Sequence, residues 1–196
     1  YRCWDVYAKV GKWYAEDPER QKLRRETLHG LESGVGERAE MGRLVARRIV
    51  VRHLATMARL GIGYDLLTHE SDILGLDFFS LAFELLKATG AVTLEASGKN
   101  AGCWVMPLEG TPEFAGLEDP DKVIVRSDGT VTYVGKDIAY QLWKFGLLGK
   151  DFAYRYWREA GLWVTAREGA EDHPAFGRGA NVINVIDARQ SYLQKI

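Results

Sequence analysis

A chain of 196 residues with 46% hydrophobic content can bury one core, or one core and a helical appendage. Its net charge of −1 makes no whole-chain case for nucleic acid, yet residues 1–60 carry 13 Lys/Arg against 8 Asp/Glu and residues 61–196 carry 13 against 19, which allows a polyanionic partner for the N-terminal part. Two cysteines exclude a disulfide framework and favour a reducing, cytoplasmic setting, and no apolar run, signal peptide or anchor motif points to a membrane.

Cys3, Val6, Tyr7, Val10, Trp13 and Tyr14 fall at helical spacing, which predicts a first helix with one buried face, ended by "EDPE". A second, more polar helix is expected from Glu19 to Leu31. After "SGVG" a long third helix runs from about Glu37 to Leu60, with Leu44, Val51, Leu54, Ala55 and Ala58 on its inner face. Residues 1–60 thus form a helical segment, and residues 61–196 change grammar.

"GYDLL" reads as a short strand and "DFFSLAFELLKATG" as a helix with an Asp cap and a terminal Gly. "AVTLE" and "GCWVM" read as strands around "SGKNAG", and "KVIVR" and "TVTYV" as strands around "SDG". Tyr133 closes that last strand, and Asp137 opens a helix to about Phe145. "NVINVID" at 181–187 is an apolar run suited to a strand buried on both faces. Alternating strands and helices predict an α/β fold. No internal repeat is present, and only 167–180 is Gly-rich and charged enough for a linker.

"GVGERA" at 34–39 matches a dinucleotide-binding glycine pattern, but it follows a helix where that motif needs a strand, so it is an interhelix break. His29, His53, His69 and His173 stand far apart, without metal-ligand spacing, and no metal site is expected. Arg48, Arg52 and Arg59, flanked by Arg43 and Arg47, form a cationic strip on the third helix. It is either a solvated face or a phosphate-contacting one. Tyr133 and Asp137 also admit two readings. Asp137 is a helix cap and Tyr133 a core residue, or the two converge on a cation, with carboxylate and phenol meeting a guanidinium.

Three stretches, in this order, resemble class I arginyl-tRNA synthetases: "LGIGYDLLTHESD", "VIVRSDGTVTYVGKDIAYQLWKF" and "VINVIDARQSY". The resemblance is strong over 61–75 and 122–145, clear at 181–191 and sparse over 1–60. It implies part of a Rossmann-like catalytic core, 61–196 being its amino-acid-binding half and 1–60 a helical connective segment. Tyr133 and Asp137 would hold the guanidinium of L-arginine, with Gln190 lining the same pocket and Ser127, Asp128 and Gly129 shaping its floor.

The strip Arg43, Arg47, Arg48, Arg52 and Arg59 would face tRNA. ATP, with Mg, is the implied co-substrate of the parent enzyme, and none is bound tightly by this chain. The family's His-Ile-Gly-His-like and Lys-Met-Ser-Lys-Ser-like ATP motifs do not occur in these residues, and the chain opens on Tyr1 rather than Met. The expectation is therefore an internal fragment of an arginine–tRNA ligase. A non-catalytic arginine-binding domain, or a purely structural one inactive in isolation, is the alternative.

Overall fold

Asp17 divides the first two helices. Its carboxylate accepts a hydrogen bond from the Glu19 N–H at 2.9 Å, and Pro18 takes the first helical position, where a missing N–H costs nothing. Helix α1 (Arg2–Ala15) therefore stops and α2 (Pro18–Glu32) starts within a few residues. The Arg20 guanidinium covers the Trp13 ring at 4.6 Å and donates to the Trp13 carbonyl at 3.1 Å, bracing the elbow. Gly34 and Gly36 both take positive φ, which produces the break before α3 (Gly36–Arg59).

The structure, a computed structural model, describes residues 2–108, 110–114, 120–170 and 172–196. It divides into two compact units, Tyr1–Asp65 and Leu66–Ile196. In the first, α2 packs against both α1 and α3. Its interior is thin, with Ala39 the buried hydrophobic among its described residues. The expected inner face of α3 is not closed over. Leu44 and Val51 are each 45% exposed, Ala55 and Ala58 are exposed, and Leu54 is half-buried. On α1, Val6 and Tyr7 are likewise exposed. Helical periodicity locates the apolar stripe, but burial needs a neighbour to lie on it.

In the second unit, β1 (Leu66–Leu67) leads to α4 (Glu70–Gly75) and α5 (Phe78–Ala88). Asp77 holds the cap position of α5 but in a left-handed conformation, φ 59°, without a side-chain cap bond. The strands β2 (Thr93–Leu94), β3 (Trp104–Met106) and β4 (Lys122–Val125) follow, then α6 (Tyr133–Lys144), β5 (Ala153–Trp157) and β6 (Leu162–Ala166). They form two three-stranded sheets. One is antiparallel, in the order β2-β3-β4, and the other has the order β1-β6-β5, with β1 parallel to β6 and β5 antiparallel to it.

Helices α5 and α6 pack on each other and serve both cores. Phe78, Ala82, Ala139 and Trp143 join Phe152 and Tyr154 in one cluster, while Phe79 and Val134 join Val92, Met106 and Ile124 in the other. Gly135 permits this closeness, since a Cβ there would stand 2.8 Å from the Phe79 ring and 3.2 Å from Ile124.

The protein is a mixed α/β chain, as expected, with three local corrections. Tyr133 does not end a strand. The strand character of "TVTYV" shrinks to one bridge, Val125 to Val131, and α6 begins at Tyr133, one turn before Asp137. Residues 181–187 are neither a strand nor buried. Ile183 is 90% and Val185 97% exposed, because no strand among the described residues pairs with them. The hairpin β5-β6 falls in a stretch to which the sequence reading assigned no element.

Candidate functional site

Because α6 starts at Tyr133, the side chains of Tyr133, Asp137, Tyr140 and Lys144 follow the helical i, i+4, i+7, i+11 spacing and share one stripe. The helix is aimed by its first residues. The Thr132 N–H donates to the Ile124 carbonyl at 3.0 Å and its hydroxyl to the Val123 carbonyl at 2.8 Å, so α6 leaves directly from β4. Before it, Arg126 to Thr130 make a tight turn with Gly129 at φ 83°. Asp128 accepts from the Thr130 N–H at 2.9 Å, and the bonds from Thr130 hold its carboxyl below the usual range.

Tyr133 is 56% exposed. Asp137 is on the exposed side too, yet partial burial of its carboxyl raises its pKa, helped by the negative charge of Glu70 and opposed by Lys144 and Lys136. Glu70 comes from α4 and pairs with Lys136 at 3.0 Å. The Thr68 hydroxyl, at the end of β1, donates to the Tyr140 hydroxyl at 3.0 Å, and burial raises the Tyr140 phenol. Lys144 lies 4.4 Å from the centre of the Tyr140 ring, and its ammonium donates to Asn184 Oδ1 at 3.0 Å. Burial lowers the Lys144 pKa, and the Asp137 charge partly restores it. Asn184 in turn donates to Gln194 at 2.5 Å.

A second network anchors α4 beneath this stripe. The Thr165 hydroxyl of β6 donates to the buried Asp72 carboxylate at 2.8 Å and accepts the His69 N–H at 2.8 Å. Thr165 and Asp72 are both buried, so the contacts hold the first turn of α4, and hence Glu70, against the sheet.

The structure thus brings Tyr133 and Asp137 onto one stripe. Gln190 stands in an exposed 3-10 turn, Ala188–Lys195, where its N–H donates to the Asp187 carbonyl at 2.9 Å. Ser127 and Asp128 line an open hollow of about 310 Å³ with Asn100, Cys103, Val123 and Arg126, and Tyr133, Asp137 and Gln190 are not in its lining. Arg43, Arg47, Arg48, Arg52 and Arg59 are all exposed on α3, and Arg43 donates to the Gly34 carbonyl at 2.8 Å. Among the described residues no cluster of three or more His, Cys, Asp or Glu could hold a metal ion, and no helix is long and apolar enough to cross a membrane. Glu70, Tyr140, Lys144 and Asn184 had no part in the sequence-based site. Helical spacing from Tyr133 would have found Tyr140 and Lys144.

The stripe on α6 thus holds one carboxylate, Asp137, between the phenol rings of Tyr133 and Tyr140, with the Lys144 ammonium at its far end and the Glu70 carboxylate brought near from α4. Proteins of known kind are similar to this chain along nearly its whole length. The arginine–tRNA ligase of Thermococcus kodakarensis is 42% identical over 194 residues, covering 96% of this chain and 30% of that protein. That of Deinococcus radiodurans is 38% identical, covering 100% of this chain and 33% of that protein. Over nearly its whole length, the chain matches one segment of arginyl-tRNA synthetases. The solved Thermus thermophilus arginyl-tRNA synthetase superposes with a TM-score of 0.70 and 35% identity, covering 96% of this chain and 31% of that one. The chain spans about a third of the length of the arginine–tRNA ligases it matches. No family model matches it.

Proposed function

We propose that this chain is the amino-acid-selecting segment of an arginine–tRNA ligase, holding the guanidinium of L-arginine between Asp137 and Tyr133, with Glu70 adding negative charge and Gln190 closing the site. The observation that carries this is the common stripe of Tyr133 and Asp137 on α6, in a chain similar end to end to part of such ligases. A guanidinium offers paired N–H donors to a carboxylate, which the point charge of a lysine substrate cannot reproduce. A neutral or shorter side chain would leave a partly desolvated carboxylate without a partner, which makes misrecognition costly.

In the parent enzyme, arginine, ATP and tRNA are the substrates and the cytoplasm the setting. The arginine carboxylate attacks the ATP α-phosphorus, and a ribose hydroxyl of the terminal tRNA adenosine then takes the arginyl group. To this chain we assign only the selection of arginine and, through the exposed strip Arg43 to Arg59, contact with tRNA phosphates. Residues 66–196 would join further strands in a Rossmann-like core. The apolar run 181–187, exposed at Ile183 and Val185, supports that reading, because it has the composition of a central strand without a partner among the described residues.

Calorimetric titration of the folded chain with L-arginine, without ATP, tests the proposal. Uptake of one arginine, lost in Asp137→Asn by a hundredfold or more (about 3 kcal/mol for an unpaired charged partner), is the expected result. Exposed apolar surface also favours a second reading, a structural piece that binds nothing alone, and the absence of any heat in a chain shown to be folded would select it.

A further inference from the structure

The Lys144 residue makes two separate connections to one later segment. Its carbonyl accepts the Gly179 N–H at 2.8 Å, and its ammonium donates to Asn184 Oδ1 at 3.0 Å, 40 residues along the chain. The path between is steered closely. Gly177, at φ 73°, lies against Trp143, where a Cβ would come within 3.2 Å of the ring and of the Trp143 carbonyl. Arg178 adopts φ 53°, a left-handed conformation seldom taken by a residue with a side chain. A Cβ on Gly146 would stand 2.7 Å from Arg178 Cγ. Residues 177–179 are therefore pressed onto the C-terminal end of α6, and Asn184 reaches back to the same helix.

Around Asn184 the segment carries exposed apolar side chains, and its last residue, Ile196, packs against the second core cluster. Ile183 and Val185 are almost fully exposed, and Asp187, Ala188 and Gln190 are exposed. Asn184 also donates to Gln194 at 2.5 Å, spanning the turn that carries Gln190. The bonds from Lys144 to Asn184 and from Asn184 to Gln194 thus join that turn to the stripe bearing Asp137. A hydrogen bond to a charged donor is stronger than a neutral one, and here the ammonium is partly buried and propped on the Tyr140 ring.

We propose that Lys144 and Asn184 form a latch that positions Gln190 for arginine, making both positioning residues of the site. This rests on the arginine reading given above. The latch works through geometry rather than through contact with the substrate. Asn184 supplies an acceptor, Lys144 supplies a charged donor, and the turn between Asn184 and Gln194 follows.

The test is arginine affinity of the folded 196-residue chain, measured by calorimetry with circular dichroism as the check on folding. Asn184→Ala removes the acceptor and leaves every charge near Asp137 in place, and it should weaken arginine binding about five- to tenfold. Asn184→Asp keeps an acceptor for the ammonium but loses the Nδ2 donor to Gln194, so it should bind arginine less tightly than the unaltered chain and no more weakly than Asn184→Ala. In a Gln190→Ala background, Asn184→Ala should add no further loss, because the residue it positions is gone. Equal affinity of Asn184→Ala and the unaltered chain, additive losses with Gln190→Ala, or weaker binding by Asn184→Asp than by Asn184→Ala would each overturn the latch while leaving the arginine site standing. No arginine uptake by the unaltered folded chain would overturn both.

Discussion

Asp151 holds together the far end of the helix that carries the candidate site. One oxygen, Oδ1, accepts from Trp143 Nε1 at 2.8 Å, the Phe152 N–H at 2.8 Å and the Tyr154 hydroxyl at 2.5 Å. Burial, followed by the hydrogen bond to Asp151 and its negative charge, pushes the Tyr154 phenol above its ordinary value, which favours the hydroxyl as a donor. Replacing Asp151 by Ala leaves three donors without their acceptor. The side-chain donors of Trp143, 5% exposed, and Tyr154, 0% exposed, are stranded in the core, and the Phe152 N–H, on a residue 4% exposed, loses its acceptor as well.

At about 1.5 kcal/mol for each of the two side-chain donors alone, Asp151→Ala should cost at least about 3 kcal/mol. Tyr154→Phe removes a single donor from a carboxylate that keeps two, and should cost about 1 kcal/mol. Urea unfolding followed by tryptophan fluorescence reads both, with melting temperature falling by about 10 °C and about 3 °C respectively for a unit of this size. A cost under about 1 kcal/mol for Asp151→Ala, or a larger cost for Tyr154→Phe than for Asp151→Ala, would refute the idea that one carboxylate ties α6 to β5.

Thr165→Val keeps the shape of the side chain but strips the buried Asp72 carboxylate of its hydroxyl donor; a loss of about 1–3 kcal/mol is expected, with faster amide exchange across α4. The raised pKa of Asp137 means that the folded chain binds that proton more tightly than the unfolded one, so the ionised carboxylate works against folding at neutral pH. Asp137→Asn should therefore match or exceed the unaltered chain in melting temperature at pH 7, with any advantage shrinking as pH falls through the folded pKa. Arginine binding by the unaltered chain should fade at a higher pH than an unshifted aspartate would give. Charge reversal at Arg48 and Arg52 should weaken tRNA binding and flatten its dependence on salt, as read by filter binding at several ionic strengths. An unchanged slope would return that strip to the role of a solvated face.

The sequence made the helices of the first unit plain because caps and period are local. Asp17 with Pro18, and the glycines at 34 and 36, act within a few residues of themselves. Burial was not legible there, since a stripe such as Leu44 and Val51 reports only that a neighbour would be favourable. The start of α6 was misplaced by a turn for a chemical reason. Thr130, Val131 and Thr132 are β-branched and read as strand, whereas Thr132 spends its hydroxyl on the Val123 carbonyl and lets the helix begin next to it.

"AYRYW" and "LWVTA" carry the aromatic and β-branched content of strands around Gly161, at φ 68°, so local composition alone is enough to mark β5 and β6. Within the site, Tyr133 and Asp137 were accessible because they lie four apart on one helix. Glu70 meets Lys136 across 66 residues and Lys144 meets Asn184 across 40, and no local pattern encodes either pairing.

Whether the stripe recognises a permanently positive plane is decided most directly by comparing L-arginine with L-citrulline, the neutral urea analogue of the same length, in titrations of the folded chain. Arginine bound at least a hundredfold more tightly, with that ratio collapsing in Asp137→Asn, is what a carboxylate-centred pocket requires (about 3 kcal/mol of lost charge pairing). Equal affinity for the two amino acids, or a ratio unmoved by Asp137→Asn, would contradict it.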